Sequence, residues 1–252
     1  MLNKKLLSVA VASALSAGTA VAQDQPIVTG DELVEGFEIS ANVALTTDYR
    51  FRGISQSDEE PAVQGGFDAE FGPGFYIGTW GSTVDFDTNE AVDGSLELDY
   101  YAGWAGNIGD SDFGVDIGYY YYDYPGDDGS PEGDYQEIAL GLSYSDLSFT
   151  IVYSDDYYAE TDEFWYFAGD YSFNVAENWS IGLHAGYNML EEDGGFLSSD
   201  EDGYWDYSVG VTWSVVGVDL SVAWVGTDLD DDDVFGTDWA DDTVVGTISK
   251  SF

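Results

Sequence analysis

The sequence predicts an all-β chain, a closed antiparallel transmembrane β-barrel of about 12 strands. Three observations predict it: long segments of strict two-residue alternation, connections that alternate between tight and long, and the lack of any apolar run long enough for a spanning helix. A membrane admits only helices and closed barrels, because every backbone polar group must be satisfied within the protein.

The first residues open with Met1, Leu2, Asn3, Lys4 and Lys5, continue through an apolar run to Ala14, and end on small residues at Ala20, Val21 and Ala22. A positive start, a short apolar core and an A-x-A site describe a secretory signal peptide over 1–22, cleaved before Gln23. A periplasmic segment over 23–36 and the barrel over 37–252 follow. The run is shorter than the ~20 residues that a spanning helix needs.

From Phe37 the odd positions read Phe37, Ile39, Ala41, Val43, Leu45, Thr47, Tyr49 and Phe51, against Glu38, Ser40, Asn42, Asp48, Arg50 and Arg52 on the even ones. This reads as one strand with its odd face toward lipid and its even face toward a lumen. The same rule recurs. Val63, Phe67 and Phe71 oppose Gln64, Asp68 and Glu70; Leu96, Leu98 and Tyr100 oppose Glu97 and Asp99. Ile117, Tyr119 and Tyr121 oppose Asp116, and Ile138, Leu140 and Leu142 oppose Glu137. Further segments start near Leu147, Phe167, Trp179, Trp205, Val218 and Val244, while Phe75 to Val84 has ambiguous parity because Ile77 and Trp80 fall on opposite faces.

Tight connections are expected at Gly72 to Gly74, Asn107 to Ser111, Ser145–Asp146, Asn174 to Asn178 and Val215 to Gly217. Longer, acid-rich ones are expected at Gly53 to Pro61, Asp85 to Asp93, Asp123 to Asp134, Asp155 to Asp162, Leu190 to Gly203 and Thr227 to Asp242. Short periplasmic turns and long external loops suit a barrel of the Gram-negative outer membrane. A soluble β-sandwich also alternates, but it does not require its connections to sort by length, nor Tyr119 to Tyr122, Trp179, Trp205, Trp213 and Trp224 to gather near strand ends as girdles. Aromatic residues make up 16% of the chain, which argues against a disordered acidic polymer.

The only basic side chains besides His184 are Lys4, Lys5, Arg50, Arg52 and Lys250. Without the signal peptide the formal charge is 3 − 50 = −47. Such a chain repels nucleic acid and anionic headgroups. The acid excess reads either as a solvated surface suited to salt or as a negative vestibule that concentrates cations. Cys is absent, so no disulfide contributes to stability.

The stretch Ala41 to Gln56, reading ANVALTTDYRFRGISQ, together with the ISKSF end, resembles the TorF-type porin family of Gram-negative outer-membrane barrels. The resemblance covers the whole chain after the signal peptide and implies a porin role, without defining a solute. Departures are the extreme acidity and the DLDDDD run at Asp228 to Asp233.

Asp48, Arg50 and Arg52, opposed by Asp68, Glu70, Glu97, Asp99, Asp116 and Glu137, are the candidate constriction, with His184 as a further lumen-lining group. The same charges could instead pair as salt bridges that fill a plugged barrel. A catalytic reading of His184 lacks a nucleophile, and no enzyme activity is expected. Asp230, Asp231, Asp232 and Asp233 are weak candidates for calcium, as is the loop with Asp127, Asp128 and Glu132, but the EF-hand spacing fails at Asp233. Phosphate-binding glycine loops and Cys or His clusters are missing, so no cofactor is expected.

The sequence thus predicts a channel for passive diffusion of ions or small polar solutes, cation-preferring. The alternative is a closed structural or adhesive barrel without transport. Expected partners are outer-membrane lipid and lipopolysaccharide, and the outer-membrane assembly machinery, which reads a terminal strand ending in an aromatic such as Phe252. Lys250 would snorkel to the headgroups. Oligomeric state is left open.

Overall fold

The structure, a computed structural model, describes residues 36–86, 94–127, 131, 133–191 and 194–252. The signal peptide and the segment to residue 35 lie outside the described residues, as do Asp128 and Glu132 of the second calcium candidate.

Twelve strands form a closed antiparallel barrel, each paired with its neighbours in sequence. They are β1 (Phe37–Thr46), β4 (Ala62–Phe71), β5 (Phe75–Thr83), β6 (Leu96–Asn107), β7 (Phe113–Asp123), β8 (Tyr135–Tyr144), β9 (Leu147–Ser154), β10 (Phe164–Ala176), β11 (Trp179–Met189), β12 (Gly203–Val215), β13 (Val218–Thr227) and β14 (Thr243–Ser251). Two more, β2 (Arg50–Phe51) and β3 (Ile54–Ser55), form a separate two-stranded sheet within the β1–β4 connection. The seam runs from Asn42↔Ser251 to Thr46↔Thr247, and is extended by Phe252 N–H donating to Ala41 O at 2.9 Å. Along this seam closure removes the sheet edge.

Alternation sorts the side chains as expected. Val63, Phe67, Ile77, Ile117, Ile138, Val222, Val244 and Ile248 are exposed on the outer face. Glu97, Asp116, Glu137, Asn188 and Asp206 are buried on the inner one. The ambiguity of β5 resolves: Ile77 points out, whereas Trp80 packs edge-on against Tyr49 inside the barrel, ring centroids 5.5 Å apart. Lys250 pairs with Val43 on the outer face and lies 4.8 Å from the Phe252 ring centroid.

The tight connections fall where alternation places them, at one end of the barrel, shared with both strand termini. Two aromatic groups lie near the rims: Trp179 stacks on Trp213 at that end, and Trp205 packs against Tyr187 toward the other. The expected girdle at Tyr119 to Tyr122 needs correction. Tyr119 and Tyr121 face outward, but Tyr120 and Tyr122 are buried in the lumen, since consecutive residues of one strand cannot share a face.

The larger correction concerns the first strand. It was expected to run from Phe37 through Arg52, but β1 ends at Thr46, and the chain then turns into the barrel instead of continuing along its wall. Tyr49 and Phe51, expected toward lipid, are buried inside. The segment Gly53 to Pro61, expected as an external loop, begins at the tip of this inward hairpin.

Candidate functional site: an acidic lumen and its inward hairpin

The hairpin pairs Arg50 with Ser55 and Phe51 with Ile54, leaving Arg52 and Gly53 as a two-residue turn. Both turn residues have positive φ, +48° and +85°, the combination that two-residue hairpins use to match strand twist. Glycine is required at 53 for a second reason. A Cβ there would collide with the Thr227 methyl group and lie 3.0 Å from Asp206 Cβ, so the tip touches the wall at β12 and β13.

Asp48 organises the base. Its carboxylate accepts bonds from Ser55 Oγ at 2.7 Å and Ser57 Oγ at 3.3 Å, and faces Arg50 Nε at 2.5 Å. The Arg50 guanidinium also donates to the carbonyl oxygens of Gly53 and Asp241, each at 3.2 Å, to that of Trp239, and to Glu59 Oε1 at 3.0 Å. Its side chain has 0% exposure, so Arg50 acts as a structural clamp joining the hairpin to the β13–β14 loop. Desolvation lifts the Glu59 carboxyl above its ordinary range, and the Arg50 charge offsets part of that rise.

Arg52 crosses to the far wall. Its guanidinium lies 2.8 Å from Glu137 Oε1, donates to Glu137 Oε2 at 3.0 Å and to Tyr157 Oη at 3.0 Å. It sits 4.6 Å from the ring centroids of Phe51, Phe164 and Tyr166, and 5.6 Å from that of Tyr157. These are cation–π distances in a dry setting, where each such contact is worth up to about 2 kcal/mol. Burial pushes the Tyr157 phenol up to about 12, so it remains neutral beside the guanidinium. Around this centre Phe51 packs on Tyr122, and Tyr49 donates to Glu97 at 2.9 Å. The hairpin thus touches the wall through Trp80, Glu97, Tyr122, Glu137, Tyr166 and Asp206, all in the half of the barrel next to the long connections.

The predicted site residues therefore divide. Asp48, Arg50, Arg52, Glu97, Asp99 and Glu137 gather at the hairpin end, the first three on the hairpin and not on a wall strand as parity had placed them. Asp68, Glu70, Asp116 and His184 line the wall farther in. There Tyr101 donates to Asp68 at 2.5 Å and Tyr76 to Asp116 at 2.8 Å. The opposite wall is small and hydroxylic, including Ser148, Thr150, Ser208, Thr212 and Ser221. His184 sits between Asp170, 2.7 Å from Nδ1, and Asp206, 2.8 Å from Nε2, with Tyr166 Oη at 3.0 Å. Asn188 donates to Asp206 at 2.8 Å. Alternation predicted that His184 faces inward; its carboxylate partners come from β10 and β12 and could be assigned only once register was known.

The acidic run forms a short 3₁₀ turn, Asp231–Asp233, capped reciprocally by Asp230 and Asp233. Among the described residues the carboxylates that cluster are those of Asp231, Asp238 and Asp241, all exposed, so the expected set of Asp230 to Asp233 does not converge. Asp230 and Asp233 are instead engaged in the cap.

Sequence reasoning missed the hairpin. The signal was present in Arg52-Gly53 flanked by Phe51 and Ile54, but unbroken parity through Phe51 concealed it.

A family profile described as "Bacterial protein of unknown function (Gcw_chp)" matches residues 31–252. The chain belongs to this family. No curated protein sequence matches it. Among solved structures, one titled "NanC porin structure in rhombohedral crystal form" is similar to it with a TM-score of 0.53 at 12% identity, covering 85% of this chain and 98% of that one. One titled "KdgM porin" gives 0.52 at 9% identity, covering 84% and 98%. A third, "KdgM porin in complex with disordered oligogalacturonate", gives 0.52 at 10% identity, covering 85% and 97%. At such identities the likeness establishes the barrel fold.

Proposed function

We propose that this member of the Gcw_chp family is an outer-membrane channel for passive diffusion of small ions or polar solutes, with a preference for cations. One observation carries the reading: the inner lumen is lined by carboxylates, hydroxyls and glycines, while every described Lys and Arg is placed elsewhere. Arg50 and Arg52 are ion-paired in the hairpin, and Lys250 lies on the outer face. The apolar outer wall and the aromatic residues near its rims support a bilayer location. Barrel likeness to proteins titled as porins, and the resemblance of TTDYRFRGISQ to TorF-type porins, support transport. Export through the signal peptide over 1–22, and assembly through the strand ending at Phe252, belong to the same proposal, as does a non-enzymatic role.

Asp68, Glu70 and Asp116 would repel a polyanion such as the oligogalacturonate named for the KdgM porin. The solute of this barrel is therefore proposed to differ in sign. The test is the reversal potential in a potassium chloride gradient across a planar bilayer: a cation-selective sign is expected, and an anion-selective sign refutes the preference. A second reading, a closed structural barrel, is favoured by the hairpin that fills the outer half. It predicts no unitary conductance steps under any condition.

A further inference from the structure

We propose that the mouth of the barrel contains a recognition site for organic cations, built from Glu137, Tyr157, Phe164 and Tyr166, which the chain's own Arg52 occupies and for which an external guanidinium or alkylammonium solute competes. The proposal rests on the channel reading, to which it adds a solute class and a means of opening.

The site is more elaborate than a structural tether needs to be. Arg52 meets ring faces at 4.6 Å on Phe164 and Tyr166 and at 5.6 Å on Tyr157, while Glu137 accepts from the guanidinium through Oε2 and ion-pairs with it through Oε1 at 2.8 Å. Aromatic faces around one carboxylate are the arrangement that recognises guanidinium and alkylated ammonium groups. All four site residues are wall or loop residues independent of the hairpin's own strands, and Tyr122 Oη donates to Glu137 at 3.0 Å, so the receptor half stays organised when the hairpin leaves. The occupant is held under less favourable terms. Arg52 has a left-handed φ of +48°, and its Nε is buried without a hydrogen-bond acceptor. A free ligand carries neither handicap.

Electrostatics couples entry to opening. The Glu137 side chain has 0% exposure, and removing Arg52 alone would strand its charge in the wall beside Glu97 and Asp99. An incoming cation restores the pairing, so the hairpin leaves more readily when a substitute is present. Sodium is a poor substitute, because it is strongly hydrated and has no planar face to offer the rings.

Hydrogen exchange of the hairpin, read at the Ser55 amide that donates to Trp239 O at 2.9 Å, tests the site separately from transport. Folded protein in detergent, verified by heat-modifiable migration, receives millimolar methylguanidinium, tetramethylammonium or sodium chloride. An increase in exchange of about tenfold with methylguanidinium, and none with sodium, is expected. In Glu137→Gln the methylguanidinium response should vanish, and in Arg52→Ala exchange should be high before any addition. Equal responses to methylguanidinium and sodium, or none in wild type, overturn the proposal. Bilayer recordings on the same samples judge the parent reading: conductance without a methylguanidinium response sinks only the site, whereas a responsive hairpin in a silent barrel sinks the channel.

Discussion

Gly53→Ala should release the hairpin while leaving the barrel intact. Two costs act on the same residue. A left-handed backbone costs a non-glycine residue about 1–2 kcal/mol. The added Cβ would also enter the space of the Thr227 methyl group and approach Asp206 Cβ to 3.0 Å, an overpacking that typically costs about 1–3 kcal/mol. The smallest sum, about 2 kcal/mol, corresponds to roughly a 30-fold rise in the population of the displaced hairpin. No barrel pairing involves residue 53, so the barrel should still form, and its melting temperature should fall by no more than this loss of about 2 kcal/mol implies. Exchange at the Ser55 amide should accelerate by the same factor, and bilayer recordings should show longer openings. Gly109→Ala is the control: it too has positive φ, +60°, but meets nothing within 4 Å and lies in the β6–β7 turn. If Gly53→Ala exchanges and conducts like wild type, the hairpin does not depend on the contact with β12 and β13, and the account of the plug fails.

Replacing Asp68 and Asp116 together by Asn should move the reversal potential toward zero, because both carboxylates line the inner lumen; an unchanged value would separate selectivity from this wall. His184→Ala leaves Asp170 and Asp206 without their shared partner and should cost about 3 kcal/mol, the low end for breaking a buried pair, since Asp170 keeps 28% of its side chain exposed. Thermal unfolding in detergent reads that loss, and a variant as stable as wild type would contradict it. Glu59 binds its proton more tightly in the fold than in the unfolded chain, so its ionisation opposes folding above the folded pKa and the penalty disappears at low pH. Glu59→Gln should therefore melt at or above the wild-type temperature at pH 7, with the difference closing as pH falls below the ordinary glutamate range; a gap that widens toward acid would reverse the sign.

Parity carried the barrel because the two media on either side of a strand impose opposite chemistry at every second residue. Val63 against Gln64 and Ile138 against Glu137 are each decided by that rule alone, without knowledge of partners. The rule fails where the chain leaves the wall yet still alternates. Tyr49, Arg50, Phe51 and Arg52 keep perfect period 2, but their apolar members meet Trp80 and Tyr122 in place of lipid. A buried hairpin is also two-sided, and nothing in local spacing distinguishes one apolar environment from another. Likewise His184 was assigned to the inside, while its bracket of Asp170 and Asp206 depended on strand register, which a single chain encodes only through the sum of all pairings.

The position of the arginines follows from the acidity of everything around them. Near the mouth of the barrel Glu137 is fully buried, and a buried carboxylate stays ionised only beside a counter-charge; after residue 22 the chain has only Arg50, Arg52 and Lys250 to supply one. It places two of them on a single hairpin, Arg50 holding the hairpin's base and Arg52 neutralising Glu137. On the proposed channel reading, loop closure and cation preference are one electrostatic condition seen in two states. With the hairpin in, the counter-charge is covalent; with the hairpin out, it must come from solution, and only cations can provide it. With the hairpin out and water admitted, an ionised Glu137 repels anions and attracts cations, so an anion-selective open state would count against that reading.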